Sequence, residues 1–330
     1  MNRRSFTKTA FAAALGGVAA SRALGDAKLA DITDNTAPYK SKFAPHFGLL
    51  KASLEAAFKK PFKQISPVDQ LQFFYDLGFR ALEDNGMMSR PVETQEAIAK
   101  KMESLGMEMG VFCAHTEWKL SSYSGNRLDT KIKKVNNLIE RDPKAVRGAL
   151  VAQMEKAIEV GKRVNAKWCT VVPGLEDPTL APEFQFANVV DNLRYMADVC
   201  AKTGIIMVLE PLNIFNHPNL FLKRVPQAYA VCRAVNSPYC KILDDMYHQQ
   251  ITEGNLIPNF DMARSEIAYV QVGDVPGRKE PTSGEINFKN VFRHLWESGY
   301  RGVIGMEHGQ TDWTLEGDKK FIAAYRSIDV

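Results

Sequence analysis

Four apolar, strand-like stretches in the second half of the chain each lead into a polar residue able to bind a metal ion. They are VLEPLN at Glu210, ILDDMYH at Asp245, AYVQVGD at Gln271 and VIGMEHG at Glu307. In a parallel β/α barrel every strand ends at the same rim, so these side chains would converge on one pocket. Buried carboxylates need a compensating charge, which a bound cation provides. The pattern predicts one shared metal site, and ordinary strand-end polarity is the alternative interpretation.

Three carboxylates and one amide offer only oxygen donors, which favours a hard cation such as Mg²⁺ or Mn²⁺ over zinc. A cation with open positions could hold the two adjacent oxygens of a hydroxy-carbonyl compound and stabilise the enediolate formed when the neighbouring carbon loses a proton. Glu210 and Glu307 end the fifth and eighth predicted strands, so they would face a substrate from opposite sides. One would remove a proton and the other return it, which predicts isomerisation or epimerisation.

Six further residues are candidates for substrate binding, each with a structural role as the competing interpretation. Arg278 follows the seventh strand and offers a planar donor fork to a carboxylate or hydroxyl. An imidazole three residues after Asp245 could hydrogen-bond a substrate hydroxyl, and an indole in the loop after the third strand could cover a sugar face. The six are Glu83, His115, Trp118, His248, Arg278 and Glu285, the last expected to orient Arg278 or the loop that carries it.

Eight short apolar runs alternate with longer helical patterns, which is typical of a parallel α/β sheet. The runs begin at Phe43, Phe79, Met107, Lys167, Ile205, Cys240, Ile267 and Gly302. Ser66 and Pro67 form a helix-start signal, and Gly78 ends the same helix. Eight units favour a single closed (β/α)8 barrel over an open doubly wound sheet, and no GxGxxG follows the first run. The barrel is predicted to span residues 42–330.

One interval between runs is much longer than the others. Between the third and fourth runs, a polar segment from Thr116 to about Asp142 precedes a helix predicted from Pro143. Such a segment after a barrel strand is a candidate lid over the site.

The first residues resemble an export signal rather than part of the fold. A basic start with Arg3 and Arg4 in NRRSFTK precedes an Ala-rich apolar stretch, as in bacterial twin-arginine signals. We therefore expect a signal peptide over residues 1–25, a linker over 26–41, recognition by the twin-arginine export machinery and a periplasmic location. The formal net charge of +4 comes largely from this segment. The remainder therefore gives no support to nucleic-acid binding, and no other stretch predicts a membrane span in the mature form.

The segments EPLN, DDMYHQQ, VQVGDVPGRKEPTSGEIN and GMEHG resemble the hydroxypyruvate isomerase family, within the wider xylose isomerase-like barrels that include ketose 3-epimerases. The resemblance implies Glu210, Asp245, Gln271 and Glu307 as metal ligands, with Glu210 and Glu307 also the acid/base pair. It selects Asp245 rather than Asp244, because the family's aspartate stands three residues before the histidine. It further implies His248 and Arg278 as substrate contacts, and a possible homodimer.

Gln271 stands where ketose 3-epimerases usually have His, which favours the hydroxypyruvate isomerase branch. His308 stands where that branch commonly has Tyr, and the long segment after Thr116 has no ready match. We therefore predict a metal-dependent isomerase of a small hydroxy-carbonyl acid or keto-sugar. The alternatives are an exported keto-sugar or keto-glycoside epimerase, a keto-polyol lyase or dehydratase, and a non-catalytic sugar-binding protein.

Overall fold

A computed structural model describes residues 36–128, 134–135, 138–139 and 141–330. The predicted signal peptide, residues 1–25, and most of the predicted linker lie outside the described residues. Part of the candidate lid also lies outside them. The first strand begins at Lys42 and the last helix ends at Ile328.

Parallel strands form the centre of the molecule. The described strands are β1 Lys42–Ala44, β2 Ala81–Leu82, β3 Glu108–Met109, β4 Cys113–Thr116, β5 Lys134–Val135, β6 Leu138–Ile139, β7 Trp168–Val172, β8 Ile206–Leu209, β9 Cys240–Asp245, β10 Ile267–Gln271 and β11 Val303–Gly305. Seven of them make one sheet in the order β1-β11-β10-β9-β8-β7-β4, and β2 pairs in parallel with β3. A short antiparallel pair, β5 with β6, lies in the segment after Thr116.

The short β2–β3 pair fills the space between the two ends of the large sheet. On one side the Glu83 amide donates to the Pro45 carbonyl just after β1, at 3.1 Å. On the other side the Asp84 amide donates to the carbonyl of Val111, just before β4, at 3.2 Å. These bonds close the sheet on itself, and each of the eight predicted apolar runs contains a strand. The predicted (β/α)8 barrel is confirmed.

Helices cover the outside of the sheet. Ser66 accepts a hydrogen bond from the Asp69 amide at the start of the helix Pro67–Asp76, and Pro67 is the first helical residue, as predicted. The described α-helices are α1 Lys51–Phe58, α2 Pro67–Asp76, α3 Val92–Leu105, α4 Ser122–Gly125, α5 Pro143–Arg163, α6 Pro182–Ala201, α7 Val225–Val235, α8 Met246–Thr252, α9 Leu256–Ala263, α10 Phe288–Glu297 and α11 Leu315–Ile328. In the described part of the chain, none of the helices has the length and apolar character needed to cross a bilayer.

Mostly apolar residues fill the inside of the barrel. The inner cluster comprises Ala44, Ala81, Val111, Val208, Leu243, Tyr269 and Val303, all fully buried. Side chains alternate between the two faces of a strand, so Asp245 shares the inner face with Leu243 whereas Asp244 faces the surrounding helices. This alternation places Asp245 at the carboxyl-terminal mouth of the barrel, above the apolar interior.

Candidate active site

Two carboxylates from neighbouring strands and one imidazole form a compact buried group at the barrel mouth. Glu210 follows β8, Asp245 ends β9 and His248 lies in the first turn of α8. One potential ligand atom from each lies within 4.8 Å of the others. The Asp245 carboxylate is fixed by its own helix, since Oδ1 accepts from the Tyr247 amide at 2.8 Å and caps α8.

Hydrogen bonds from Asn213 determine which nitrogen of His248 carries the proton. The Asn213 backbone amide and its side-chain Nδ2 lie 3.3 and 2.7 Å from His248 Nδ1, while Asn213 Oδ1 is occupied by two other amides. Nδ1 is therefore the acceptor and Nε2 carries the hydrogen. Burial lowers the pKa of His248 to about 4, so the ring is neutral. Nε2–H thus faces Glu210 and Asp245, at 3.8 and 3.7 Å, as a donor.

Gln271 ends β10, and its amide is oriented by a carboxyl group beneath it. Gln271 Nε2 donates to Glu83 Oε2 at 3.2 Å, and the Tyr269 hydroxyl donates to the same oxygen at 3.2 Å. Gln271 Oε1 is buried and has no hydrogen-bond partner among the described residues, which leaves it free to bind a cation. Glu83 is a predicted substrate-binding candidate with a structural role as the alternative, and it is only 1% exposed and bonded to Gln271. Its contacts are those of a residue that positions Gln271.

Glu307 follows β11 and is joined to Asp245 by Arg278. Arg278 Nη2 donates to Asp245 Oδ2 at 2.8 Å and lies 3.1 Å from Glu307 Oε2. The other oxygen of Glu307 accepts from Asn85 Nδ2 at 3.0 Å. These carboxylates raise the pKa of Arg278 above its ordinary value, so it stays charged. The guanidinium therefore supplies positive charge between two predicted metal ligands.

The carboxyl groups of Glu210 and Glu307 at the mouth have raised pKa values because they are desolvated and lie close to other carboxylates. Burial raises the pKa of Glu210 well above its ordinary value, and the negative charges of Glu307 and Asp245 add to the effect. The pKa of Glu307 is also raised, chiefly by burial, although Arg278 opposes the shift. Crowded buried carboxylates of this kind are stabilised in their ionised form by a cation. The oxygen donors and the unpartnered Gln271 Oε1 fit a divalent metal ion.

The structure places the other predicted substrate-binding residues in different surroundings. Trp118 lies at the mouth, with its ring stacked 5.2 Å from that of His217. His115 is partly buried, and its ring centroid lies 5.7 Å from that of Tyr123 in an edge-to-face arrangement. The Glu285 side chain is exposed and accepts from Gln250 Nε2 at 3.2 Å rather than from Arg278, while its backbone amide donates to the Val275 carbonyl of the loop that carries Arg278, at 2.8 Å.

His308, which departs from the family pattern, does not face the site. Its Nε2 bonds the Tyr325 hydroxyl of α11, and its carbonyl oxygen lies 3.0 Å from His46 Nε2. Burial lowers the pKa of His308 to about 3, so the ring is neutral. The replacement of Tyr by His therefore changes packing behind β11 rather than the pocket.

Asn85 and Asn213 contact candidate site residues, and sequence reasoning missed both. Asn85 stands two residues after Glu83 at the end of a predicted strand, which is a signal that could have identified it. Asn213 ends the EPLN segment. Its role depends on His248, which comes from a different strand-helix unit, so the local sequence does not reveal it.

Comparison with known proteins identifies the protein family to which this fold and site belong. The model of the xylose isomerase-like TIM barrel family matches residues 71–325, so the chain belongs to that family. A putative hydroxypyruvate isomerase from Homo sapiens is 38% identical over 171 residues, covering 50% of this chain and 61% of that protein. The hydroxypyruvate isomerase of Escherichia coli strain K12 is 31% identical over 170 residues, covering 52% and 66%. The match thus spans less than two thirds of each relative.

A solved structure is similar over most of the chain. The apo form of a 3-keto-D-glucoside 4-epimerase from E. coli has a TM-score of 0.64 at 18% identity, covering 87% of this chain and all of that one. At this identity the likeness supports the barrel fold.

Proposed function

We propose that the protein is a divalent-metal-dependent isomerase or epimerase that moves a proton at the carbon beside a carbonyl group in a small hydroxy-carbonyl acid or keto-sugar. The observation that carries the proposal is the pair Glu210 and Glu307, which follow β8 and β11 at one barrel mouth, with Glu210 buried and Glu307 partly exposed. The pKa of each carboxyl group is raised in the metal-free protein. A carboxyl group whose pKa is raised toward the pH at which an enzyme works can both accept and return a proton. The hydroxypyruvate isomerases among the relatives support the reaction class.

Glu210, Asp245, Gln271 and Glu307 are the residues that would hold the metal ion. A bound divalent ion supplies positive charge that polarises the substrate carbonyl and stabilises the negative charge formed when the proton leaves. Glu83 keeps the Gln271 oxygen turned toward this position, because it accepts from the amide nitrogen. Mg²⁺ and Mn²⁺ suit the oxygen-rich donor set.

The site residues also orient the substrate and transfer the proton. His248 presents Nε2–H to a substrate oxygen, since Asn213 occupies its other nitrogen. Arg278 carries further N–H donors for a carboxylate or hydroxyl group. Of Glu210 and Glu307, one removes the proton and the other returns it, and Asn85 holds Glu307 in place. The Glu307 side chain is 27% exposed, so the transferred proton can exchange with water.

Product analysis tests this proposal. The protein lacking residues 1–25 is incubated with Mn²⁺ or Mg²⁺ and a panel of hydroxypyruvate, ketoses and 3-keto-glycosides, and products are followed by NMR. A product isomeric with its substrate supports the proposal. A product lacking one water would indicate a lyase on the same barrel instead. Ligand binding with no product from any compound would indicate a sugar-binding protein and would refute an enzymatic role.

We also propose delivery to the periplasm by the twin-arginine route, on the basis of the NRRSFTK segment and the apolar stretch after it. Residues 1–25 are fused to a reporter that lacks its own signal, and the reporter is assayed in the periplasmic fraction. Replacing Arg3 and Arg4 together by Lys is expected to retain the reporter in the cytoplasm. Equal export of both fusions would contradict the proposal.

A further inference from the structure

The loop after β8 displays apolar side chains at the barrel mouth. Ile214 is 45% exposed and Phe215 is 75% exposed, although burial elsewhere would be favourable for both. The polar groups of this loop point inward instead. Asn213 is fully buried, and its Oδ1 accepts from the Phe215 and Asn216 amides at 3.1 and 2.9 Å.

The same loop is fixed to residues of the site. Asn213 contacts His248 Nδ1, and Asn216 Oδ1 accepts from both Asn213 Nδ2 and the Tyr247 hydroxyl at 2.9 Å. Because these bonds hold the backbone on α8, the exposed side chains have a defined position relative to the catalytic carboxylates. A preorganised apolar surface next to a reactive centre is typical of a ligand-binding subsite.

Three rings lead outward from the site, and one of them, His217, belongs to the same turn as Ile214 and Phe215, since its amide donates to the Asn213 carbonyl at 3.0 Å. The His217 ring lies 5.5 Å from that of His248, and the Trp118 ring stacks on His217 at 5.2 Å with 24° between the planes. Trp118 remains 46% exposed. A three- or four-carbon substrate held between Glu210 and Asp245 would be separated from Trp118 by His248 and His217. The outer rings therefore lie where a larger substrate would reach them.

The four side chains Trp118, Ile214, Phe215 and His217 are uncharged. Burial and the neighbouring Arg278 lower the pKa of His217, so it is neutral at physiological pH. Trp118, Ile214 and Phe215 carry no charge. Such a surface suits a neutral sugar ring, whose C–H face packs on aromatic side chains while its hydroxyl groups stay in water.

We propose that Trp118, Ile214, Phe215 and His217 form a subsite, the aromatic rim, that binds the second ring of a keto-glycoside whose keto-sugar ring occupies the catalytic pocket. This inference rests on the proposed function for the reacting ring and adds the class of substrate. Small hydroxy-carbonyl acids would leave the aromatic rim unused.

The test compares two substrates that share a reacting ring, 3-keto-trehalose and 3-keto-glucose. We expect Phe215→Ala and Trp118→Ala each to lower the ratio of kcat/KM for the disaccharide to that for the monosaccharide by about tenfold, chiefly through KM. Met262→Ala is the control, because Met262 is also 65% exposed but lies near the end of α9. An unchanged ratio in both rim variants would overturn the proposal.

A binding measurement separates this proposal from the reaction itself. Unmodified trehalose has no keto group, and its binding is followed by titration calorimetry on the metal-loaded protein. We expect saturable binding by the wild-type and Met262→Ala proteins and at least about tenfold weaker binding by Phe215→Ala. This result would support the aromatic rim even if none of the keto-sugars reacts. Failure of the wild-type protein to bind trehalose would refute it, whatever the outcome for isomerase activity.

Discussion

Adjacent aspartates at the end of β9 lie in opposite environments. Asp245 faces the barrel mouth and pairs with Arg278, whereas Asp244 is buried on the other face of the strand. Both carboxyl oxygens of Asp244 lack a hydrogen-bond partner among the described residues. Burial, reinforced by the negative charge of Asp245, raises the pKa of Asp244 to about 7. The protonated form is therefore the stable one in the folded protein below neutral pH.

Replacing Asp244 by Asn tests this assignment. Because the pKa is raised on folding, the folded state binds a proton that the unfolded state loses above about 3.8, and stability falls as pH rises toward about 7. Asn cannot ionise, so the variant should be more stable than wild type at pH 8, by up to about 4 kcal/mol, with a smaller difference near pH 4.5. Urea unfolding in EDTA measures the difference in the free energy of unfolding between variant and wild type, with exposed Asp198→Asn as control. An equal effect at both pH values would contradict the account.

The sequence allowed prediction of the strand-end residues but not of their partners. Glu210, Asp245, Gln271 and Glu307 each end or follow a strand because an apolar run leads into them. Glu83 ends a strand too, yet its bonds to Gln271 and Tyr269 cross the barrel and determine that it lies beneath the site. Contacts between distant segments leave no local pattern, so its position could not be predicted from the sequence.

At the scale of elements, a buried ion pair fixes the base of the segment inserted after β4. Arg127 and Arg141 face each other in an antiparallel bridge, and both donate to Asp177 Oδ2, at 2.8 and 3.2 Å. Arg127 and Thr179 lower the pKa of Asp177 to about 2. The stabilisation is thus present above the ordinary aspartate value of 3.8 and is lost as pH falls from there to about 2.

We predict that Asp177→Asn lowers the free energy of unfolding by about 3 kcal/mol at pH 7, because it leaves buried arginine charge uncompensated. Chemical unfolding monitored by circular dichroism measures the change. Asp191→Asn is the matched control, since its pair with Arg194 is exposed and should contribute less than about 1 kcal/mol. Similar losses in the two variants would mean that the Asp177 cluster is no stronger than a surface ion pair.

Element boundaries were predicted well where a strand or helix has a strong local signal. Ser66 and Pro67 start α2 as expected, because capping depends on neighbouring residues alone. The interior of the long segment after Thr116 was predicted only as a candidate lid. Its helix α4 and its β5–β6 pair are short, and segments this short lack the apolar periodicity that identifies an element.

At the scale of the whole molecule, metal binding and stability should be coupled through pH. The pKa values of Glu210 and Glu307 are raised on folding, so the metal-free protein loses stability as pH rises above their ordinary value of 4.5. A cation requires these groups ionised and therefore binds more tightly as pH rises. We expect saturating Mn²⁺ to raise Tm more at pH 8 than at pH 6. Glu210→Gln should reduce the difference, and equal Tm shifts at both pH values would argue against a carboxylate-rich metal site.

The barrel itself was predictable because eight strand-helix units repeat along the chain, and such a repeat favours closure into one sheet. The substrate was not predictable from the same pattern. In the proposed function, the size of the substrate would depend on two loops, which carry Trp118 and His217 and whose rings stack only in the folded protein.

Proton NMR in deuterated water tests the central claim most directly. The metal-loaded protein is incubated with the keto-sugar panel, and deuterium is followed at the carbon beside the carbonyl. We predict metal-dependent incorporation that Glu210→Gln and Glu307→Gln each reduce by at least about a hundredfold, while exposed Glu297→Gln has no effect. Undiminished incorporation in both site variants, or none with any compound in a protein shown to bind metal, would contradict proton transfer by this carboxylate pair.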